Sequence, residues 1–365
     1  MADNKKRIEF KPDYVVAPGA TLLETIQLRG LSQAELAKRT GRPLKTINEI
    51  IKGKAAITAE TALQLEHVLG VPASFWNNLE RNYRQALASL KEQKSLEAAK
   101  DWVQKFPVKE LMKRGVLNKS RAGTELVRAM FQFFGVSSMT AWNRMWIAPA
   151  AAYRRSPAFR TSPEATAAWL RLGEIAAQKQ ELPAFDKAAF KQVLGHMRDL
   201  MTLHPAELQK SMVPECHKAG VALVFVKELP RTRVHGAVRW IGDNPIIQLS
   251  CRYKVEDIFW FTFFHEAGHV LLHGKRDIFL EDDRNGDVKE READAFATSQ
   301  LIPEPQWRRF ISASHFSDSS VQSLAESLRI PAGIVVGRLQ HEGMIAFSRL
   351  NHLKRRFDLT QPLTA

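Results

Sequence analysis

His265, Glu266 and His269 stand in one short stretch, Phe261-Thr-Phe-Phe-His265-Glu266-Ala-Gly-His269-Val-Leu-Leu-His273, within an apolar, helix-compatible run. On an α-helix, residues four apart lie one turn above each other, so His265 and His269 project from the same face. Two imidazoles at that spacing can chelate one Zn²⁺ at about 2.0–2.1 Å each. Glu266 sits beside the first of them, where its carboxylate can take a proton from water that the metal has acidified toward a pKa of about 7. This is the chemistry of peptide-bond hydrolysis. The alternative is a buried amphipathic helix that carries two histidines for no chemical purpose. Against it, Phe259, Trp260, Phe263 and Phe264 would drive this helix into a core. Two histidines and a glutamate are costly there unless a metal or hydrogen bonds satisfy them.

A catalytic zinc needs a third protein ligand. His273 lies two helical turns from His265, about 12 Å along the axis, so one ion cannot bridge the two. It is expected to support a ligand or the fold instead. A more distant histidine at position 275 is ruled out by Lys275. The better source is Glu290-Arg-Glu292-Ala-Asp294-Ala-Phe-Ala, in which Glu290 and Asp294 share a helical face. Glu290 can ligate the metal while Asp294 orients a ligand histidine through its other ring nitrogen. Glu292 points elsewhere and is the weaker candidate. The pairing of H-E-A-G-H-x-L-L-H with E-x-E-A-D-x-F-A and Leu301-Ile-Pro303 resembles the ImmA/IrrE family of zinc metallo-endopeptidases over roughly residues 215–350. The resemblance implies His265, His269 and Glu290 as ligands and Glu266 as base. The family often has Asn where Asp294 stands, and either side chain could accept a histidine N–H.

Those groups need elements to position them. Val221–Val226 reads as a buried strand, and 234–241 and 245–249 as a hairpin across Gly242-Asp243-Asn244. A short sheet ahead of the metal helix offers an edge with which a substrate backbone can pair. His235 or Tyr253 could stabilise an oxyanion, and sequence does not choose between them. The acidic loop 275–289 reads as a solvated connection. Val321–Leu339 has a helix-turn-helix cadence, which the resemblance to the ImmA/IrrE family implies is packing of the catalytic domain, and the basic run Lys354-Arg355-Arg356 is expected in solvent.

A second constellation lies near the start. In Leu31-Ser-Gln-Ala-Glu-Leu-Ala-Lys-Arg-Thr-Gly41-Arg-Pro43, Ser32 caps a short helix and Gly41 permits a left-handed turn. Pro43 suits the start of a next helix, whose inward face reads as Leu44, Ile47 and Ile51. Thr58 begins a fourth helix through Leu63, Leu65 and Val68. This is a helix-turn-helix. Gln33 is placed for a phosphate, and Lys45, Thr46, Asn48 and Glu49 for base edges, with Lys52 outward beside them. A helical dimerisation domain without a DNA role is the alternative. Pro18-Gly19-x-x-Leu22-Leu23-Glu24 and Leu69-Gly-Val-x-x-x-Phe-Trp-x-Asn78-Leu resemble the HigA branch of the lambda-repressor-like family over about residues 15–88.

Composition fits both. The 365 residues carry a formal charge of +14, which favours a polyanionic partner such as nucleic acid. Only two cysteines occur, with no C-x-x-C, so neither a disulfide framework nor a thiolate zinc site is indicated. Neither a signal peptide nor a membrane-spanning run is evident, and a cytoplasmic location is expected. The expected architecture is mainly α: an all-α helix-turn-helix domain over 1–90, a helical basic linker region over 91–160, and an α+β zincin-like domain with a small sheet over 161–365. In the middle, Arg154, Arg155 and Arg160 read as a solvated linker, and Trp142, Trp146 and Trp169 as core. The functional expectation is a homodimeric regulator that binds a double-stranded DNA operator and uses Zn²⁺ to cleave a protein such as a repressor or toxin. The alternative is a non-catalytic, antitoxin-like repressor whose peptidase-like domain binds a toxin or senses metal.

Overall fold

A computed structural model describes residues 15–119, 121–147, 162–250, 252, 254–273, 279–280, 288–313 and 315–356. The chain divides into two compact units, Met1–Lys100 and Asp101–Ala365.

The first unit is helical. Helices α1 (Pro18–Leu28), α2 (Gln33–Thr40), α3 (Leu44–Ile51), α4 (Ala59–Leu69) and α5 (Ala73–Ala98) follow one another. Local chemistry sets the boundaries: the Ser32 hydroxyl accepts from the Glu35 N–H and the Thr58 hydroxyl from the Thr61 N–H, while Gly41 and Gly70 close their helices at positive φ. Leu22, Ile26, Leu36, Ile47, Ile50, Leu65 and Trp76 form the core. At Gly19 a Cβ would lie 2.1 Å from the Ile50 carbonyl oxygen, so α1 rests directly on the α3 backbone. Two inward faces differ from the sequence expectation. Helix α3 buries Ile47 and Ile50 and leaves Leu44 44% exposed; α4 buries Ala62, Leu65 and Leu69 and leaves Leu63 53% exposed. Both helices are short, and the core they join selects the stripe.

The second unit takes in the segment read from sequence as a linker. Helices α6 (Lys100–Val103), α7 (Val108–Lys113), α8 (Gly123–Phe134) and α9 (Met139–Trp142), with a π-turn over Asn143–Ile147, lead into it. Trp102, Phe106, Phe134 and Trp142 meet mostly edge to face, with centroids 4.7–6.5 Å apart. Arg171 donates to the Phe133 carbonyl, and Arg114 to those of Lys227 and Glu228. Residues 101–147 are thus a wall of this unit. Trp142, Trp146 and Trp169 are all buried. Arg154, Arg155 and Arg160 lie outside the described residues.

Next come α10 (Pro163–Gln178), α11 (Lys187–Leu200), α12 (Pro205–Lys218), strands β1 (Ala222–Phe225), β2 (Gly236–Ile241) and β3 (Asn244–Leu249), and α13 (Glu256–Leu272). The two-residue strand β4 (Phe279–Leu280) and helices α14 (Val288–Leu301), α15 (Glu304–Ser312), α16 (Asp318–Leu328) and α17 (Ala332–His341) complete the unit. The sheet order is β1-β3-β2-β4, with β1 parallel to β3 and the other pairs antiparallel. Ile241 pairs with Asn244, so the hairpin turns on Gly242 and Asp243, with Gly242 at φ 59°. Alternation along β3 sends Gln248 to α10, where its amide donates to the Trp169 carbonyl, and Ile247 into the core with Phe263.

Helix α13 is apolar nearly all round and is the centre of that core, as such a helix must be. Helices α16 and α17 bury Val321, Ala325, Val335 and Leu339 in the same cluster, so their helix-turn-helix cadence serves packing. Lys354 and Arg355 do not lie free in solvent. Lys354 binds the Asp257 carboxylate and the Gln340 side chain; Arg355 binds Glu256 and the Met201 carbonyl. Both carboxylates lie in the first turn of α13, where the helix dipole favours negative charge. No helix among the described residues is long and apolar enough to cross a membrane.

Candidate functional site

Small residues bring the two site helices together. At Gly268 on α13 a Cβ would lie 3.3 Å from the Ala293 Cα of α14, and Ala293 and Ala297 are fully buried. This close approach places Glu290 and Asp294 beside the two histidines. Nε2 of His265 and Nε2 of His269 lie 3.0 Å apart. Glu290 Oε2 is 3.2 Å from the first and 3.5 Å from the second. His265 and His269 are 2% and 1% exposed.

The hydrogen bonds behind these atoms fix their protons. Nδ1 of His265 is 2.9 Å from Asp294 Oδ1, so it donates there and its Nε2 keeps a lone pair. On the other side, His273 Nε2 is 3.1 Å from Glu292 Oε2, and His273 Nδ1 is 2.9 Å from His269 Nδ1. A His273 that donates to Glu292 accepts from His269 at Nδ1, which leaves a lone pair on His269 Nε2 as well. Burial lowers the His269 pKa, against the pull of Glu290, and so favours this neutral ring. Burial raises the Glu290 carboxyl, but imidazoles carrying a proton at Nε2 outweigh it and hold the group down at about 2; with the Nε2 lone pairs turned inward, a bound cation would take over that role. Three electron-pair donors therefore converge in a buried place. Ligands of a tetrahedral ion at about 2.0–2.1 Å stand roughly 3.3 Å from one another, which the three separations bracket. The donor set of two imidazoles and a carboxylate fits zinc, and it could hold a metal ion.

Glu266, next after His265 in the chain, is fully buried on α13. Gly236, the first residue of β2, leaves the space for it: a Cβ there would come 2.4 Å from Glu266 Oε1. The sequence reading missed Gly236, although a glycine inside a strand pattern is itself a sign of close approach. It also missed the contact of Glu292 with His273. His235 is buried just before β2, while Tyr253 and nearly all of the acidic loop, Glu281, Asp282, Asp283 and Asp287 included, lie outside the described residues.

In the first unit, α3 and its cap carry the candidate reading residues. Lys45 has 86% of its side chain exposed and lies 4.0 Å from Glu49. Thr46, Asn48 and Glu49 are half-buried on α3, Lys52 caps it and is exposed, and half-buried Gln33 opens α2. Two nearby arginines are already engaged: Arg39 pairs with Glu35, and Arg42 with Glu60 and Gln64.

Comparison with known proteins addresses both units. Residues 22–76 match a helix-turn-helix family model, and residues 219–340 that of the IrrE N-terminal-like domain, a peptidase family. Among solved structures, an addiction module antidote protein of the HigA family from Coxiella burnetii is 34% identical, covering 23% of this chain and 91% of that one with a TM-score of 0.21. The antitoxin GraA is 30% identical, covering 21% and 83%, with a TM-score of 0.20. The Pseudomonas aeruginosa antitoxin HigA, solved with the higBA promoter, is 29% identical over 23% and 94%, with a TM-score of 0.22. No curated protein matches the chain.

Proposed function

For a chain that belongs to the HigA-type helix-turn-helix family over its first unit and carries an IrrE N-terminal-like peptidase domain in its second, we propose a cytoplasmic DNA-bound regulator with its own zinc endopeptidase. It binds an operator as a homodimer and cleaves a protein partner, a repressor or a toxin. The observation that carries this reading is the convergence of His265, His269 and Glu290 within 4.8 Å of one another on two tightly packed helices.

His265, His269 and Glu290 hold the ion, and Asp294 and His273 orient the two imidazoles from behind. When bound, zinc acidifies water and polarises a carbonyl oxygen. Glu266 receives the proton of the attacking water and delivers it to the departing amine, a role that suits a carboxylate held in one place by Gly236. The bulk of Phe263, Phe264 and Trp260 around α13 keeps other water away. In the first unit, Lys45, Thr46, Asn48 and Glu49 face base edges, and Gln33 and Lys52 the phosphates.

The test is Glu266→Gln, which keeps size and hydrogen-bonding capacity but cannot accept the proton. Cleavage of the partner in host lysate, followed by mass spectrometry, should vanish while zinc content and operator affinity persist. Unchanged cleavage in this variant would refute the assignment. A second reading is favoured by the HigA-like motif around Pro18-Gly19 and Leu69-Gly70: an antitoxin-like repressor whose second unit binds a toxin without cutting. Normal repression and normal relief in Glu266→Gln would select that reading.

A further inference from the structure

The positive charge of this chain is not concentrated where DNA would be read. Residues 1–100 hold 16 Lys and Arg against 11 Asp and Glu; residues 101–254 hold 24 against 12; residues 255–365 hold 13 against 16. Most of the excess thus belongs to residues 101–254. A cleft of 1160 Å³ opens there, between the stretch 110–121, helix α10 and the ends of β1 and β3. Eight of its lining residues are Lys or Arg and two are Glu.

Those cations fall into two kinds. Arg114 and Arg171 are structural: Arg114 pairs with Glu110 and donates to the Lys227 and Glu228 carbonyls, and Arg171 pairs with Glu174. Lys113, Lys119, Lys179 and Lys227 are exposed and have no carboxylate partner among the described residues. Between them the floor is apolar, with Leu117, Phe133, Ile175 and Phe225. One polar group stands in that floor. Ser250 is 2% exposed, and its hydroxyl has no hydrogen-bond partner among the described residues. A buried hydroxyl without a partner is destabilising, and a ligand carbonyl or carboxylate pressed into the floor could accept from it.

We propose that this cleft docks an acidic, apolar-studded polypeptide segment. Its size exceeds the roughly 300–1,000 Å³ usual for small-molecule sites, and its charge is complementary to carboxylates. Single-stranded nucleic acid needs free aromatic faces for stacking, but the two rings here are engaged. Phe225 stacks on Phe259, with centroids 6.3 Å apart, and Phe133 packs edge to face on Phe134 at 4.8 Å. Duplex DNA has no use for an apolar floor. The inference deepens the peptidase reading by making the docked segment part of the protein to be cleaved, and it rests on that reading only for this consequence.

Binding is therefore measured without cleavage. A short fluorescein-labelled peptide rich in Glu and Leu is titrated by anisotropy with the full-length Glu266→Gln protein, in parallel with a sequence-matched Lys-for-Glu peptide and a single-stranded oligonucleotide of equal charge. The acidic peptide should bind, weaken with salt, and lose at least about tenfold on Lys113→Glu/Lys179→Glu/Lys227→Glu. The same three reversals should leave operator affinity and zinc content unchanged, which certifies the fold. Ser250→Ala should weaken the peptide a few-fold without lowering the melting temperature. Retention of peptide affinity in the triple variant would overturn the proposal, as would cleft-dependent preference for the oligonucleotide. Failure of the wild-type protein to cleave any partner, with peptide binding intact, would count against the peptidase reading alone.

Discussion

The proposed reading helix of the first unit and the proposed metal helix of the second keep their candidate residues on opposite sides of the solvent boundary. On α3, the Lys45 side chain is 86% exposed and its neighbours are few. On α13, His265, Glu266 and His269 are 2%, 0% and 1% exposed, and each histidine is braced from behind. The difference follows from the partner. A duplex brings its own surface to the protein, so the contacts wait outside and a mobile lysine serves. An ion and a reacting water must be taken into the protein, so every donor must already be aimed, and each aim requires a further residue. Substitutions should therefore act locally and mildly in the first unit, and through chains of support in the second.

The largest effect should come from Glu266→Gln. General-base assistance contributes roughly 10²–10⁴-fold, so partner cleavage should fall by that order while operator affinity, read by gel shift, is unmoved. Gly236→Ala should approach this loss with Glu266 still present, because the added methyl would occupy its place. Retained cleavage in Gly236→Ala would break the claim that β2 sets the base. Next comes Lys354→Ala, which leaves Asp257, 7% exposed, without its cation. Breaking such a buried pair costs about 3–5 kcal/mol. Calorimetry should show the loss in the transition of the second unit, with operator binding by the first preserved at low temperature.

Removing Asp294 should cost about 10–100-fold in zinc affinity, measured by chelator competition, as losses behind a ligand histidine do. Glu292→Ala should do less, since it reaches the site only through His273. If Glu292→Ala strips the metal and Glu290→Ala does not, the ligand assignment is inverted. Smallest are the substitutions on α3. Asn48→Ala should cost about 1–3 kcal/mol at its preferred base pair and relax the sequence preference there. Lys52→Ala should weaken all sequences alike and lower the salt slope by about one.

Legibility in the sequence divides along the distance over which each feature is determined. Ser32, Gly41 and Thr58 mark helix ends by bonds to residues three or four away, and the structure places those ends there. The hairpin and the four-residue spacing of His265 and His269 are equally local. The exposed Leu44 and Leu63 show the limit: in helices of 8 and 11 residues, more than one apolar stripe satisfies the periodicity. Features set by distant partners were not legible at all. Lys354 and Arg355 looked like a solvated basic run because their carboxylates stand 97 and 99 residues earlier. Residues 101–147 looked like a linker because their lysines are visible in sequence, whereas the mutual packing of Trp102, Phe106, Phe134 and Trp142 is not.

Those two distant carboxylates also give the molecule a timetable. The first turn of α13 is secured only when Lys354 and Arg355 arrive, 97 and 99 residues after their partners. At about 5–20 residues per second, a ribosome needs roughly 5–20 s to deliver them. Every residue of the reading helix and its caps has been made long before. A nascent chain thus carries the whole of its first unit while the first turn of α13, and with it the proposed hydrolytic centre, is still unlatched.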